Sequence, residues 1–301
     1  MKPFRNKTGR QHFCVLAIVV SSCALGASPA SADTVPFFFS TGNPDGLIAT
    51  LSRVASGSNL ETETADDFVT TAPTTINSAT FVGLLPSGTP LSDISQVEIE
   101  LYHVFPIDST DPPDGRVNTR VNSPSDNNFD LRDSNVPGEL TFTPTLISPS
   151  FHVLNSVQSG GIKAFPNQFT GGDGPVTGEE VLFTVTFTTP FEVDADHIFF
   201  RPEVGLTSGD FLWLSAPRPI VPPGTPFPTG STDLQTWTRD DGNGALAPDW
   251  SRIGSDITLQ GPFNAAFSLT GTSNVVPEPS FVVVLGGALF GMVLMRRRRK
   301  S

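Results

Sequence analysis

From Phe183 to Thr188 the chain alternates strictly, with Phe183, Val185 and Phe187 separated by Thr184, Thr186 and Thr188, and Val181 extends the apolar set by one step. A period of two places the apolar side chains on one face of a β-strand and the threonines on the other. A helix needs apolar residues three and four apart, and no ten-residue stretch between residues 33 and 279 sustains that spacing. The 28 prolines and 27 glycines act in the same direction, since both interrupt helices. A second strand reads from Gln96 to Phe105, where Val97, Ile99 and Leu101 share one face. Glu98 and Glu100 take the other, which predicts a half-buried strand with a solvated acidic face. Shorter strand signals fall at Asp67–Thr70, Ala79–Leu85, Leu140–Thr143, Phe151–Asn155, Ile198–Phe200, Phe211–Ser215, Asp256–Gln260 and Ala265–Thr270.

Many short strands with turn-rich connections predict an all-β protein, an antiparallel β-sandwich of jelly-roll type. The 24 Phe, against one Tyr and three Trp, suit a large apolar core between two sheets. Long loops are expected at residues 106–138, 156–178 and 216–250. The six prolines between Pro217 and Pro228 make that stretch extended and stiff.

Both ends carry targeting patterns. Lys2, Arg5, Lys7 and Arg10 precede an apolar run from Phe13, which gives way to small residues ending in Ala30-Ser31-Ala32. That order is a secretory signal peptide over residues 1–32, cut by signal peptidase so that Asp33 becomes the N-terminus. Val20-Ser21-Ser22-Cys23 also resembles a lipobox, a minor alternative that makes Cys23 a lipidated N-terminus. With the cut at Ala32, Cys14 and Cys23 both leave, and the exported chain holds neither disulfide nor free thiol. At the other end, Pro277-Glu278-Pro279 precedes fifteen apolar residues, Phe281 to Met295, and then Arg296, Arg297, Arg298, Arg299 and Lys300. Fifteen residues rise about 22 Å as a helix, short for a bilayer but workable with snorkelling arginines. The five cations hold the C-terminus in the cytoplasm, so residues 33–279 lie outside the inner membrane.

The motif, the short span and the basic cluster, in that order behind a signal peptide, resemble the PEP-CTERM sorting signal of exopolysaccharide-producing Gram-negative bacteria. The resemblance implies processing near Pro277, Glu278 and Pro279 by an exosortase, an integral-membrane transpeptidase, and delivery to the cell surface or matrix. The expected organisation is a signal peptide (1–32), an exported domain (33–274) and a sorting signal (275–301) with its transmembrane segment at 281–295 and basic tail at 296–300. Internal phrases such as Glu61-Thr62-Glu63-Thr64-Ala65-Asp66-Asp67-Phe68 and Phe263-Asn264-Ala265-Ala266-Phe267 also resemble a recurrent group of PEP-CTERM proteins, a likeness that carries no activity.

Between the two cuts the chain keeps 9 basic and 30 acidic residues, a formal net charge of −21. Such a surface repels nucleic acid and anionic lipid. It suits an exported protein that stays soluble, or one set in a cation-bridged polysaccharide gel.

No Gly-x-Ser-x-Gly elbow, His-Glu-x-x-His motif or phosphate-binding glycine loop occurs. His103, His152 and His197 read as structural or surface groups, because Asp196 neighbours His197 in sequence and points to the opposite face of a strand. No catalytic residue and no resident cofactor is expected. Calcium leads the site hypotheses, since acidic loops supply its oxygen ligands. Three clusters qualify: Glu61, Glu63, Asp66 and Asp67; Asp108, Asp111 and Asp114; and Asp240, Asp241 and Asn243. None has EF-hand spacing. Trp213 reads as core, whereas Trp237 and Trp250 flank an acidic glycine-rich loop and are candidates to stack on sugar rings.

The leading expectation is therefore a non-enzymatic, structural or adhesive protein of the surface or extracellular matrix, with exosortase, signal peptidase and extracellular polysaccharide as partners. A calcium-assisted carbohydrate-binding module is the first alternative. A polysaccharide hydrolase using two carboxylates is the second.

Overall fold

The computed structural model describes residues 33–56, 59, 61–109, 122–159, 162, 169–217, 235–240 and 250–275. They form fifteen strands: β1 (Asp33–Ser40), β2 (Ile48–Leu51), β3 (Thr62–Val69), β4 (Thr74–Leu85), β5 (Ile94–His103), β6 (Asp130–Asp133), β7 (Leu140–Val153), β8 (Asn155–Val157), β9 (Val176–Val193), β10 (His197–Leu206), β11 (Leu212–Ala216), β12 (Trp237–Asp240), β13 (Ser251–Arg252), β14 (Asn264–Ala265) and β15 (Phe267–Val275). Two sheets result, so the expected all-β, sandwich-like architecture holds. No helix among the described residues is long and apolar enough to cross a membrane, and the expected span at 281–295 lies outside them.

The nine-stranded sheet is organised around β4, which pairs with β9 along one side. On its other side β15 runs as far as the Phe267–Phe81 pair, and β11 takes over at Gly83 and Leu84. Gly83 is required there, because a Cβ would stand 2.4 Å from the Phe211 ring Cζ and 2.6 Å from the Leu212 carbonyl oxygen. β1 closes one edge on β15, and among the described residues β7 pairs only with β9. The second sheet runs β13-β12-β3-β10-β5-β6.

The core lies between the two sheets and is built by the alternation read from the sequence. Val181, Phe183, Val185 and Phe187 of β9 are buried, and Thr184, Thr186 and Thr188 are exposed. From the facing sheet come Phe68, Val97, Ile99, Leu101, Ile198, Phe200 and Val204. Phe200 stacks on Phe267 across the interface at 5.1 Å between ring centroids, and Phe81 stacks on Phe183 at 4.7 Å within one sheet. Trp213 is core, as expected, and donates its indole N–H to the Ala266 carbonyl at 3.0 Å.

Several strand assignments change. The segment expected as a strand at Asp256–Gln260 is a π-helical turn, Ile253–Ile257, closed by Thr258 and followed by Leu259 at φ 57°. Left-handed backbone at Leu259 is incompatible with a ladder. Phe151–Asn155 splits between the end of β7 and the start of β8. The expected loops 106–138 and 216–250 contain β6 and β12. β6 is half-buried at all four positions, so its burial shows no period of two.

Candidate functional site

The inner-facing residues of the six-stranded sheet fill the core, so strand geometry sends the alternate set to the opposite face. There β10 presents Phe199, Arg201 and Glu203, β5 presents Glu98, Glu100 and Tyr102, β3 presents Glu63 and Asp67, and β12 presents Trp237 and Arg239. Register brings these together as direct cross-strand pairs: Phe199 with Tyr102, Arg201 with Glu100, Glu203 with Glu98, and Arg239 with Glu63.

Arg201 is 1% exposed and is ringed by five glutamates. Its Nη1 stands 2.5 Å from Glu203 Oε2, its Nη2 contacts Glu100 and lies 3.3 Å from Glu61 and 3.4 Å from Glu98, and its Nε is 3.4 Å from Glu63. Arg239 forks onto Glu63 through Nε and Nη2, donates Nη1 to the Asp126 carbonyl at 2.9 Å, and stacks 4.6 Å from the Trp250 ring centroid. The Tyr102 hydroxyl donates to Glu63 Oε1 at 2.6 Å and contacts Glu100. Trp250 donates its indole N–H to the Ser125 carbonyl, so residues 123–126 cover part of this face.

The expected solvated acidic face of β5 is thus corrected: Glu100 is 8% exposed, drawn under cover by Arg201 opposite it. Five carboxylates against two guanidiniums leave an excess of negative charge, and the excess falls unevenly. Burial alone would raise the Glu63 carboxyl, but the charges of Arg239 and Arg201 overcome it and hold the group below its ordinary value. Burial pushes Glu98 up to about 7, with Arg201 opposing and Glu100, Glu61 and Asp133 adding to the rise. Glu203, fully buried, is raised well above the carboxylate range by desolvation, and the Arg201 charge only partly offsets this. Tyr102 is likewise pushed up by burial.

Of the three expected calcium clusters, the first is split. Glu61 and Glu63 join the arginine cluster, whereas Asp66 turns inward to accept the Ala265 and Asp67 backbone N–H groups. Asp67 faces His197, with Oδ2 at 2.6 Å from Nε2. Asp108 pairs with His103 Nδ1 at 2.6 Å, and Asp240 is buried at the end of β12. Asp111, Asp114, Asp241 and Asn243 lie outside the described residues. The sugar-stacking role expected of Trp237 and Trp250 is corrected too. Both indoles are fully buried, Trp237 under the Arg252 guanidinium and Trp250 under that of Arg239. His152 meets the Thr177 hydroxyl at 3.0 Å.

Among the processing residues, Asp33 begins β1, directly opposite Val275 at the end of β15. Ala30, Ala32, Pro277, Glu278, Pro279, Arg296, Arg297, Arg298, Arg299 and Lys300 lie outside the described residues, as does Cys23.

The sequence reading passed over Arg201, Glu203 and Arg239. A signal was present for the first two: with Phe200, Pro202 and Val204 facing the core, Phe199, Arg201 and Glu203 must share the other face. Comparisons with protein-family models, with curated proteins and with solved structures find no match to this chain.

Proposed function

We propose that the chain is an exported, non-enzymatic protein of the cell surface or extracellular matrix, with the β-sandwich as its structural or adhesive body and the two chain ends as its delivery signals. The observation that carries this reading is the Asp33–Val275 pair. The residue that follows the Ala30-Ser31-Ala32 cleavage signal is the first of β1, and the last residue of β15 stands two positions before Pro277. The described strands run from Asp33 to Val275, between the two expected processing sequences.

The test is an intact mass of the protein from culture medium and from washed membranes, in hosts with and without an exosortase. A species running from Asp33 to near Pro279, seen only with the exosortase, is expected. A membrane species that keeps residues 281–301 in both hosts would make the tail an ordinary anchor, and a lipid adduct on Cys23 would replace the export route at the front.

One observation favours a second reading, a polysaccharide hydrolase. Burial pushes the Glu98 carboxyl up to about 7, into the range of a general acid, and it lies beside two other carboxylates. Reducing ends released from an acidic polysaccharide by the wild type, and lost in Glu98→Gln, would establish it.

A further inference from the structure

We propose that Glu61, Glu98 and Glu203 form a binding site for one hard divalent cation, calcium, on the outward face of the six-stranded sheet. The site is independent of the export reading above.

The first argument is geometric. One carboxylate oxygen from each of the three residues lies within 4.8 Å of the others. Oxygens that share a calcium ion at about 2.3 to 2.6 Å are separated by up to about 5 Å, so one ion bridges this spread. Magnesium, with bonds of about 2.0 to 2.1 Å and a near-ideal octahedron, demands a tighter set. The donors are all carboxylate oxygens, a set that selects hard cations over zinc or copper.

The second argument is the state of Glu203. Its side chain is fully buried, and neither carboxylate oxygen has a hydrogen-bond partner. Oε2 faces Arg201 Nη1 at 2.5 Å, outside hydrogen-bonding alignment. Oε1 has no donor among the described residues. A buried carboxylate with one oxygen unmet is costly, and this one stands opposite a second carboxylate, Glu98, in the ladder. Arg201 offsets this only in part, through Nη1 against Oε2, and leaves Oε1 unmet. Its Nη2 is engaged closely with Glu100 and reaches Glu61 and Glu98 only at 3.3 and 3.4 Å.

The third argument is access. The Glu61 and Glu98 side chains are 29% and 17% exposed, whereas Glu203 is at 0%. The cluster is therefore open on the side from which an ion enters with its waters, and closed at its floor. The neighbouring guanidinium competes with the ion, which sets the expected affinity in the weak range of extracellular modules, a Kd of about 10⁻⁴ to 10⁻³ M.

The test is calorimetric titration of the full chain, purified in mild detergent and treated with chelator, with calcium chloride alone and magnesium chloride alone, alongside thermal melts. The wild type is expected to take up one calcium saturably, with a rise in Tm and weaker uptake of magnesium. Glu203→Gln and Glu61→Gln are each expected to weaken calcium binding at least about tenfold, and Glu192→Gln, on the exposed face of β9, to leave it unchanged. If Glu203→Gln does not fold, the half-exposed Glu61→Gln carries the comparison alone. Absence of saturable uptake by the wild type, or equal uptake by the wild type and Glu61→Gln, overturns the proposal and assigns any heat to diffuse counterions.

Discussion

Glu98 and Glu203 stand directly opposite each other in the β5–β10 ladder, and the next outward-facing pair along is Arg201 with Glu100. Like charges opposite one another destabilise a ladder. The adjoining guanidinium is what makes the arrangement tolerable, since it lies 2.5 Å from Glu203 and 3.4 Å from Glu98 and also contacts Glu100. Arg201→Met removes the shared counter-charge and leaves buried carboxylates behind. The expected loss is about 3 to 5 kcal/mol in chemical denaturation, and Arg201→Met combined with Glu203→Leu is expected to recover much of it. A single variant within about 0.5 kcal/mol of wild type would show that the cluster does not depend on Arg201.

Arg239 tests geometry rather than charge. Its fork grips Glu63 while its plane lies on Trp250. Arg239→Lys keeps the charge but supplies neither the fork nor the flat face, and is expected to cost about 1 to 2 kcal/mol. Wild-type stability in this variant would mean that Coulomb attraction alone holds Glu63.

Gly271 sits where the β15–β4 register shifts, and a Cβ there would lie 1.9 Å from the Thr75 carbonyl oxygen. Backbone cannot yield as a side-chain tip can. Gly271→Ala is expected to lower Tm and to cost about 1 to 3 kcal/mol. A neutral result by differential scanning calorimetry would contradict this close approach of β15 to β4.

Glu180 gives a pH signature away from the arginine cluster. Burial raises its carboxyl above the ordinary 4.5. The folded chain therefore holds this proton more tightly than the unfolded one, so its contribution to stability falls as pH rises through 4.5 and stays low above the folded value. Glu180→Gln removes that slope. The variant is expected to match wild type near pH 4 and to exceed it at pH 7, by about 0.5 kcal/mol or less. The same difference at both pH values would rule out the raised carboxyl.

The core was legible in the sequence wherever one face is apolar and the other is not. Val181 to Phe187 and Val97 to Leu101 declare their inward sides through a period of two, and the structure keeps both. The outer face of the six-stranded sheet was not legible, for a physical reason. An alternating charged residue reads as solvated, and only knowledge of which strand lies beside it shows that Arg201 from β10 meets Glu100 from β5 and that Arg239 from β12 meets Glu63 from β3. Those pairs are separated by about a hundred residues or more, so register, a tertiary property, decides them. Asp66 and Asp67 make the same point locally. As sequence neighbours they joined one acidic cluster, but as strand neighbours they point to opposite faces and serve different partners.

The pairing of Asp33 with Val275 would also have a mechanical meaning if the chain is held by its tail, as proposed above. Force transmitted through the residues after Val275 enters at the end of β15, which is gripped by β1 on one flank and by β4 on the other. Ladder hydrogen bonds run perpendicular to the strands, so a pull along β15 loads two ladders in shear, many bonds at once, instead of opening them one by one.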